Sequence, residues 1–362
     1  MVTENSELEE AYVLLPMYRN GKGGYIDRSG NLVVAPQFDR VSRFSEDLAI
    51  IGITEKNIYY ELEVITKIEE ITKHGYIDET GKVVIEPQFQ NAGPFCEGLA
   101  YVLDGNYEPH GLYGYINHSG EMVIEPQFYE AYSFSENLAP VCLEESEDCA
   151  DRWGYINKTG EIVIKPHFYD AGCFCNGLAP VCFKENSRKY LDSWGYIDRE
   201  GKIVLEPQFH YAKSFSGGLA AVCVEPVEYD DEWIDVWSYI DTTGQVVLGP
   251  RLGRCSYKLR KKGYTEQVVD SYIRDADAFS EGLAAVELRV GNKWGYDGGD
   301  IRRKWGYIDK KGNLVIEPIF SLAGRFLYGL ALVTPSDSEG ITYIDKSGNI
   351  NWNDKNQGDK KQ

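Results

Sequence analysis

Positive charge is scarce in this chain: 37 Lys and Arg stand against 57 Asp and Glu, a formal net charge of −20. A protein that grips nucleic acid or an anionic membrane needs a basic face, because phosphate contacts supply most of that affinity. The acidic balance disfavours such partners and favours solubility. No run of about 18 apolar residues occurs, which excludes an ordinary transmembrane helix. The opening stretch MVTENSELEE lacks the basic and apolar regions of a secretory signal, so a cytoplasmic location is expected. The eight cysteines contain no Cys-x-x-Cys pair, and no glycine-rich phosphate loop is present. Zinc, dinucleotide and nucleotide sites are therefore unsupported, and no cofactor is expected.

What the chain has in abundance is tyrosine, 26 residues of it, within an aromatic content of 13%. Aromatics suit pleated, half-buried surfaces, and the 43% hydrophobic content is sufficient for a core. The tyrosines are ordered. Tyr25, Tyr76, Tyr115, Tyr155, Tyr196, Tyr239, Tyr307 and Tyr343 each open a Tyr-Ile-Asp-like block, and a glycine follows five residues later in all eight. In the seven full copies a proline comes six residues after that glycine, then a phenylalanine, and then Leu-Ala. From Tyr to Leu is 23 residues in six copies and 44 in the sixth, which therefore carries 21 extra residues within roughly 251–274.

Each copy reads as a β-hairpin followed by a third strand. Tyr-Ile-Asp and the Val-Val-Ile type run flank a polar turn in which Asp or Asn bonds its own backbone and Gly supplies positive φ. Glu-Pro is expected to end the second strand, since proline cannot donate to a ladder. Leu-Ala-x-Val forms the third strand. The joint from this Ala to the next Gly-Tyr position varies from 11 to 26 residues. Equivalent joints of a stacked array emerge on one face, often the binding face. Two joints are acidic: Glu144, Glu145, Glu147 and Asp148 in one, Glu228, Asp230, Asp231 and Glu232 in another.

The blocks Trp153-Gly154-Tyr155, Trp194-Gly195-Tyr196 and Trp305-Gly306-Tyr307, with the downstream Glu-Pro-Gln-Phe and Phe-Ser-Glu-Gly-Leu-Ala segments, resemble bacterial WG (KWG) repeats. The likeness extends over about residues 11–350, with Gly23, His74 and Tyr113 in the Trp position of the first three copies and Ser238 in the Gly position of the sixth. It implies a repeat architecture rather than an activity. The hairpin portion resembles choline-binding cell-wall repeats more loosely.

Other constellations read as structural. Cys142, Cys182 and Cys223 share one register, and Cys96 and Cys175 share another with Ser45, Ser135, Ser216 and Ser280. Such positions are expected to hold small, reduced packing residues. The five histidines are scattered without ligand spacing. Each Asp-x-x-Gly turn offers one carboxylate, whereas calcium takes six to eight oxygens. The sixth copy's insertion reverses the local charge with Arg251, Arg254, Lys258, Arg260, Lys261 and Lys262. It is read either as docking onto acidic loops, as a solvated loop, or as a site for an anionic partner.

The expected fold is all-β: a tandem array of ~40-residue repeats, seven full and one partial, in which neighbours cover each other's faces. Repeats start near 24, 75, 114, 154, 195, 238 and 306, with the partial copy at 342, in a single domain of 11–350. A polar segment, 1–10, precedes it and a polar tail, 351–362, follows. The segment 11–15 resembles Leu-Ala-x-Val and is expected to start the first unit. Three convincing strands per copy favour a β-solenoid over a seven-bladed propeller-like ring, whose blades have four. The expected function is a non-catalytic scaffold binding protein through the variable joints. The alternative is carbohydrate or cell-envelope recognition through exposed Trp153, Trp194, Trp233 and Trp305. Anionic-partner binding through the basic insertion is the second alternative.

Overall fold

A computed structural model describes residues 13–61, 64–105, 111–143, 152–183, 193–223, 227–229, 232–249, 259–261, 264–268, 272–291, 302–336 and 340–353. Among these there is no helix. The chain divides into two units, Met1–Cys173 and Phe174–Gln362, described here separately.

Every Tyr-Ile-Asp block is a strand paired antiparallel on both sides. In the second sheet of the first unit the order follows the chain: Arg40–Val41, Leu48–Glu61, Val64–Asp78, Val83–Phe89. Asn91–Ala92, Ala100–Asp104, Leu112–Ile116 and Met122–Phe128 repeat this order, as do Glu130–Ala131, Ala139–Cys142, Trp153–Ile156 and Ile162–Phe168. The second unit repeats it with Tyr211–Ala212, Ala220–Cys223, Trp237–Ile240 and Val246–Leu248. The first sheet has three strands, Leu15–Arg19, Lys22–Ile26 and Leu32–Phe38. Its opening strand lies just beyond the expected 11–15.

Sequence reading counted three strands per copy; the structure has four per full sheet. The missed strand is the two-residue pair after Gln-Phe, too short to show a period-two pattern. Each sheet also takes two strands from one copy and two from the next, so the folding unit is offset by half a sequence period. Four strands is the number a propeller blade carries, so strand count no longer favours the solenoid.

Glu-Pro does not end its strand. Tyr76 pairs with Ile85 but His74 pairs with Phe89, so two residues oppose four, and Pro87 sits in the resulting bulge. A proline is tolerated there because the bulge asks for no ladder N–H. The bulge in turn explains the glycine of the Trp-Gly pair. A Cβ on Gly154 would lie 2.6 Å from the Ile164 carbonyl oxygen, and one on Gly75 2.4 Å from that of Ile85. Where Thr342 replaces this glycine, the pairing runs on to Asn353 without such a bulge; the chain opposite Ser238 lies outside the described residues.

The cores lie between successive sheets. Leu48 and Tyr76 of one sheet pack with Phe95, Val102 and Ile116 of the next, and the same pattern recurs around Tyr115, Tyr196, Tyr239 and Tyr307. All eight anchor tyrosines are fully buried. Burying a ring of this size contributes roughly 1.5–3 kcal/mol, provided its hydroxyl finds a partner. Tyr25, Tyr76, Tyr115, Tyr155 and Tyr196 each donate to a backbone carbonyl 17 residues on, at 2.8–2.9 Å, in the segment that opens the following sheet. The rings of Tyr25, Tyr76, Tyr115 and Tyr196 meet the second phenylalanine of the copy at 4.9–5.0 Å between centroids.

A second tie joins consecutive copies at the Ser-Glu-Gly-Leu turn. Both central residues have positive φ, as in Glu97 (55°) and Gly98 (89°), the geometry of a type I′ turn. Glutamate is a poor choice for that backbone. Its carboxylate supplies the reason. Glu46 accepts from the amides of Glu97 and Gly98 at 2.6 and 2.9 Å, Glu97 from Asn137 at 2.9 Å, and Glu281 from Gly329 at 2.9 Å. A side chain from the copy after that completes each clasp: the His118 imidazole on Glu46, and the ammonium groups of Lys158 on Glu97 and Lys346 on Glu281. The preceding serine is likewise more than a small packing residue, since Ser45 and Ser216 donate to the carbonyls of Phe95 and Phe279 at 2.6 Å.

Candidate interaction surface

The constant block uses up its own chemistry. The carboxylate of Asp78 accepts from the Thr80 hydroxyl at 2.6 Å and from the amides of Thr80 and Lys82. Asp27, Asp198, Asp241, Asp309, Asp345 and the asparagines Asn117 and Asn157 cap the equivalent turns. The Thr80 hydroxyl, outweighing partial burial, holds Asp78 below its ordinary carboxyl range, and Thr243 does the same for Asp241. These oxygens serve as turn acceptors, each turn by itself. Among the described residues no group of three or more His, Cys, Asp or Glu forms a metal site.

The joints depart from the block. The first extends the central strands of its sheet into a long hairpin, Leu48–Glu61 against Val64–Asp78. The acidic residues Glu144, Glu145, Glu147 and Asp148 lie outside the described residues, as do Asp230 and Asp231. Glu228 and Glu232 stand in a separate two-stranded hairpin, Val227–Tyr229 with Glu232–Ile234, where Glu228 pairs with Trp233 and Glu232 with Tyr229. The structure does not bring these acidic joints to one described site.

Of the basic insertion, Arg251, Arg254, Lys258 and Lys262 lie outside the described residues. Arg260 and Lys261 belong to a strand, Leu259–Lys261, that pairs with Tyr264–Val268. The latter pairs with the strand Leu283–Gly291 through Gln267 and Val268. The insertion therefore docks by backbone pairing onto the strand that enters the sixth joint. Sequence reading considered docking on acidic loops; it missed this because a strand of three to five residues carries no periodic signal.

The tryptophans of the signature are not uniformly exposed. Trp153 is buried and stacks on Tyr132, with centroids 5.1 Å apart and an interplanar angle of 11°. Trp194 and Trp305 are half-buried and pack against the cores of their sheets. Trp233 is described in its backbone only. Among the described residues the exposed rings are instead Tyr129, Tyr132, Tyr211 and Tyr328, and Tyr211 stacks on Trp237 at 6.3 Å. Packing thus claims one face of Trp153 and draws Trp194 and Trp305 partly into the cores.

Cys142, Cys182 and Cys223 are buried, and Cys96, Cys173 and Cys175 half-buried, all as reduced thiols. Cys223 lies 3.8 Å from an Asp235 oxygen, which is also 3.8 Å from His210 Nε2. The carboxylate, not the imidazole, stands between the other two, and burial pushes the Cys223 thiol up to about 12. That order gives the sulfur no base, so the trio is not a nucleophilic site. His118, read as incidental, stacks on Phe95 at 4.3 Å and completes the Glu46 clasp.

These features define an all-β tandem-repeat protein built from antiparallel four-stranded sheets. The chain belongs to the family described as WG containing repeat, whose pattern matches residues 24–56, 75–107, 113–145, 153–186, 194–225 and 305–334, more than half of its length. The matched segments do not include the copies in which Ser238 and Thr342 replace glycine. Among solved structures, a eukaryotic initiation factor is similar, with a TM-score of 0.54 and 10% identity over 95% of this chain and 85% of that one. The uncharacterized protein lmo1340 from Listeria monocytogenes EGD-e has a TM-score of 0.51 and 11% identity over 88% and 94%. Identities this low show a shared fold and no more. No curated protein sequence matches the chain.

Proposed function

We propose that this chain is a non-catalytic, cytoplasmic scaffold that binds protein partners through its variable joints. One observation carries the reading: the tyrosine hydroxyls and turn carboxylates of the constant block are committed to internal bonds, while length, charge and extra strands vary at the joints and in the sixth copy's insertion. Loops on a rigid frame are where binding residues concentrate. Cross-linking of the full chain in cells, followed by mass spectrometry, tests it. Replacing residues 144–151 or 224–234 with a Gly-Ser linker is expected to remove distinct captured proteins while leaving the melting profile intact. A set of captured proteins unchanged by every joint replacement would defeat the reading.

A specific observation keeps the carbohydrate alternative. Tyr132 and Tyr211 present exposed rings backed by Trp153 and Trp237, a stacking geometry that also suits sugar rings. Glycan binding lost on Tyr132→Ala with the fold retained would favour it.

A further inference from the structure

The strand register of the second unit gathers arginines that the sequence scatters. Arg260 pairs with Thr265, two residues from Gln267; Gln267 pairs with Gly291, two residues from Arg289; and Arg289 pairs with Arg303. Directly paired residues, and residues two apart on a strand, share a face of a sheet. Arg260, Thr265, Gln267, Arg289 and Arg303 therefore occupy one face of a four-stranded arm, contributed by the insertion and the sixth joint together. The opposite face holds Leu288 and Lys304, both buried, and Arg303 is exposed. Among the described residues two acids enter this face at its base, Glu287 and Asp275, which pair with each other, and Glu287 pairs also with Trp305. The strand Leu259–Lys261 ends the sheet order, so its outer edge has no strand partner among the described residues.

We infer that this arm is a docking surface for a carboxylate-rich segment of another protein. The inference deepens the scaffold reading above by naming one joint and the chemistry of its partner. Three arginine positions share one face of the register, with Thr265 and Gln267 between them, and arginine suits carboxylates because its fork binds them bidentately. A polyphosphate partner fits less well. Its affinity comes from many neutralised phosphates, more than three arginines supply, while the acidic balance of the chain opposes every polyanion alike. An extended acidic segment also has an open edge to pair with, so main-chain bonds can add to the charge contacts.

The test uses the full chain and a fluorescein-labelled oligoglutamate peptide, read by fluorescence anisotropy over a salt series. The triple variant Arg260→Glu/Arg289→Glu/Arg303→Glu is expected to weaken binding by more than about tenfold. The variant Lys82→Glu/Lys165→Glu/Lys202→Glu changes net charge equally at exposed sites elsewhere and is expected to stay within about twofold of the native chain. Circular dichroism melts check that both fold; if the triple variant does not, Arg303→Gln alone, at the exposed end of the register, replaces it. Equal binding by native chain and arm variant overturns the inference, as does equal loss in the control. So does stronger competition by oligouridylate than by unlabelled peptide, or self-association of the native chain that the arm substitutions abolish. The two readings fail separately: an arm variant that keeps every cross-linked partner sinks this inference alone, whereas partners indifferent to all joint replacements sink the scaffold reading.

Discussion

The hydroxyl of Tyr239 donates to the backbone carbonyl of Asp277 at 2.7 Å, across 38 residues. The equivalent bond from Tyr307 reaches Gly324, 17 residues on. The difference equals the 21 extra residues of the sixth copy, so the insertion is looped out while the tie between sheets is kept. Tyr239 also meets Phe279 at 4.8 Å, the same contact made by Tyr307 and Phe326.

Removing one of these hydroxyls should cost stability without altering the fold. Tyr76→Phe leaves the Gly93 carbonyl without its donor in a buried site, at a cost of about 1–2 kcal/mol. Tyr76→Ala also opens a cavity and should cost about 3–5 kcal/mol. Denaturant melts of both variants check the ratio. Equal losses would mean that the hydroxyl contributes nothing.

The Trp-Gly glycine should be intolerant only where the proline bulge lies against it. Gly154→Ser places a Cβ against the Ile164 carbonyl and should destabilise by about 1–3 kcal/mol, the usual range for overpacking. Thr342→Ser, where the pairing runs on without that bulge, should cost no more than about 1 kcal/mol, the loss of one buried methyl. Thermal melts of the two variants decide it.

The glutamate clasp sets side-chain bonding against backbone strain. Glu46→Ala loses the bonds to Glu97 and Gly98 but keeps the positive φ. Glu46→Gly loses the same bonds and relieves the strain. The glycine variant should therefore be the more stable of the two by about 1 kcal/mol. An alanine variant as stable as the glycine variant would show that no strain is held there.

Acid should weaken the turns. Asp78 and Asp241 have folded-state carboxyl values below the ordinary 3.8. Their stabilisation is therefore complete above that value and is lost as pH falls through the lower, folded one. Glu79 runs the other way: burial, then Asp47 and Asp78, raise its carboxyl above the ordinary 4.5, so its ionised form destabilises as pH rises past that point. Asp78→Asn/Asp241→Asn keeps the turn-capping oxygens, as Asn117 and Asn157 do. Its melting temperature should fall less than that of the native chain between about pH 4 and pH 2.

The tyrosine period, the hairpin turns and the constant block were all legible in the sequence because each depends on local spacing and turn chemistry. Tyr25 to Leu48 and Asp27 to Gly30 are short-range facts, and the same residue types recur wherever the same backbone is needed. The two-residue strands were not legible, since Arg40–Val41 has no alternation to read. Nor was the role of Glu46, whose reason for standing at positive φ lies in a turn 51 residues away. The candidate site divides in the same manner. Acidic and basic joints announce themselves by composition, but composition does not say which face of a sheet a residue occupies. Sequence alone determined that this chain is a tandem β-repeat whose length varies at its joints and at one insertion in the sixth copy. Only the tertiary structure decided that the Trp153 face is spent on Tyr132, and that Arg260, Arg289 and Arg303 share one surface. Strand register, fixed by pairing between distant segments, sets both.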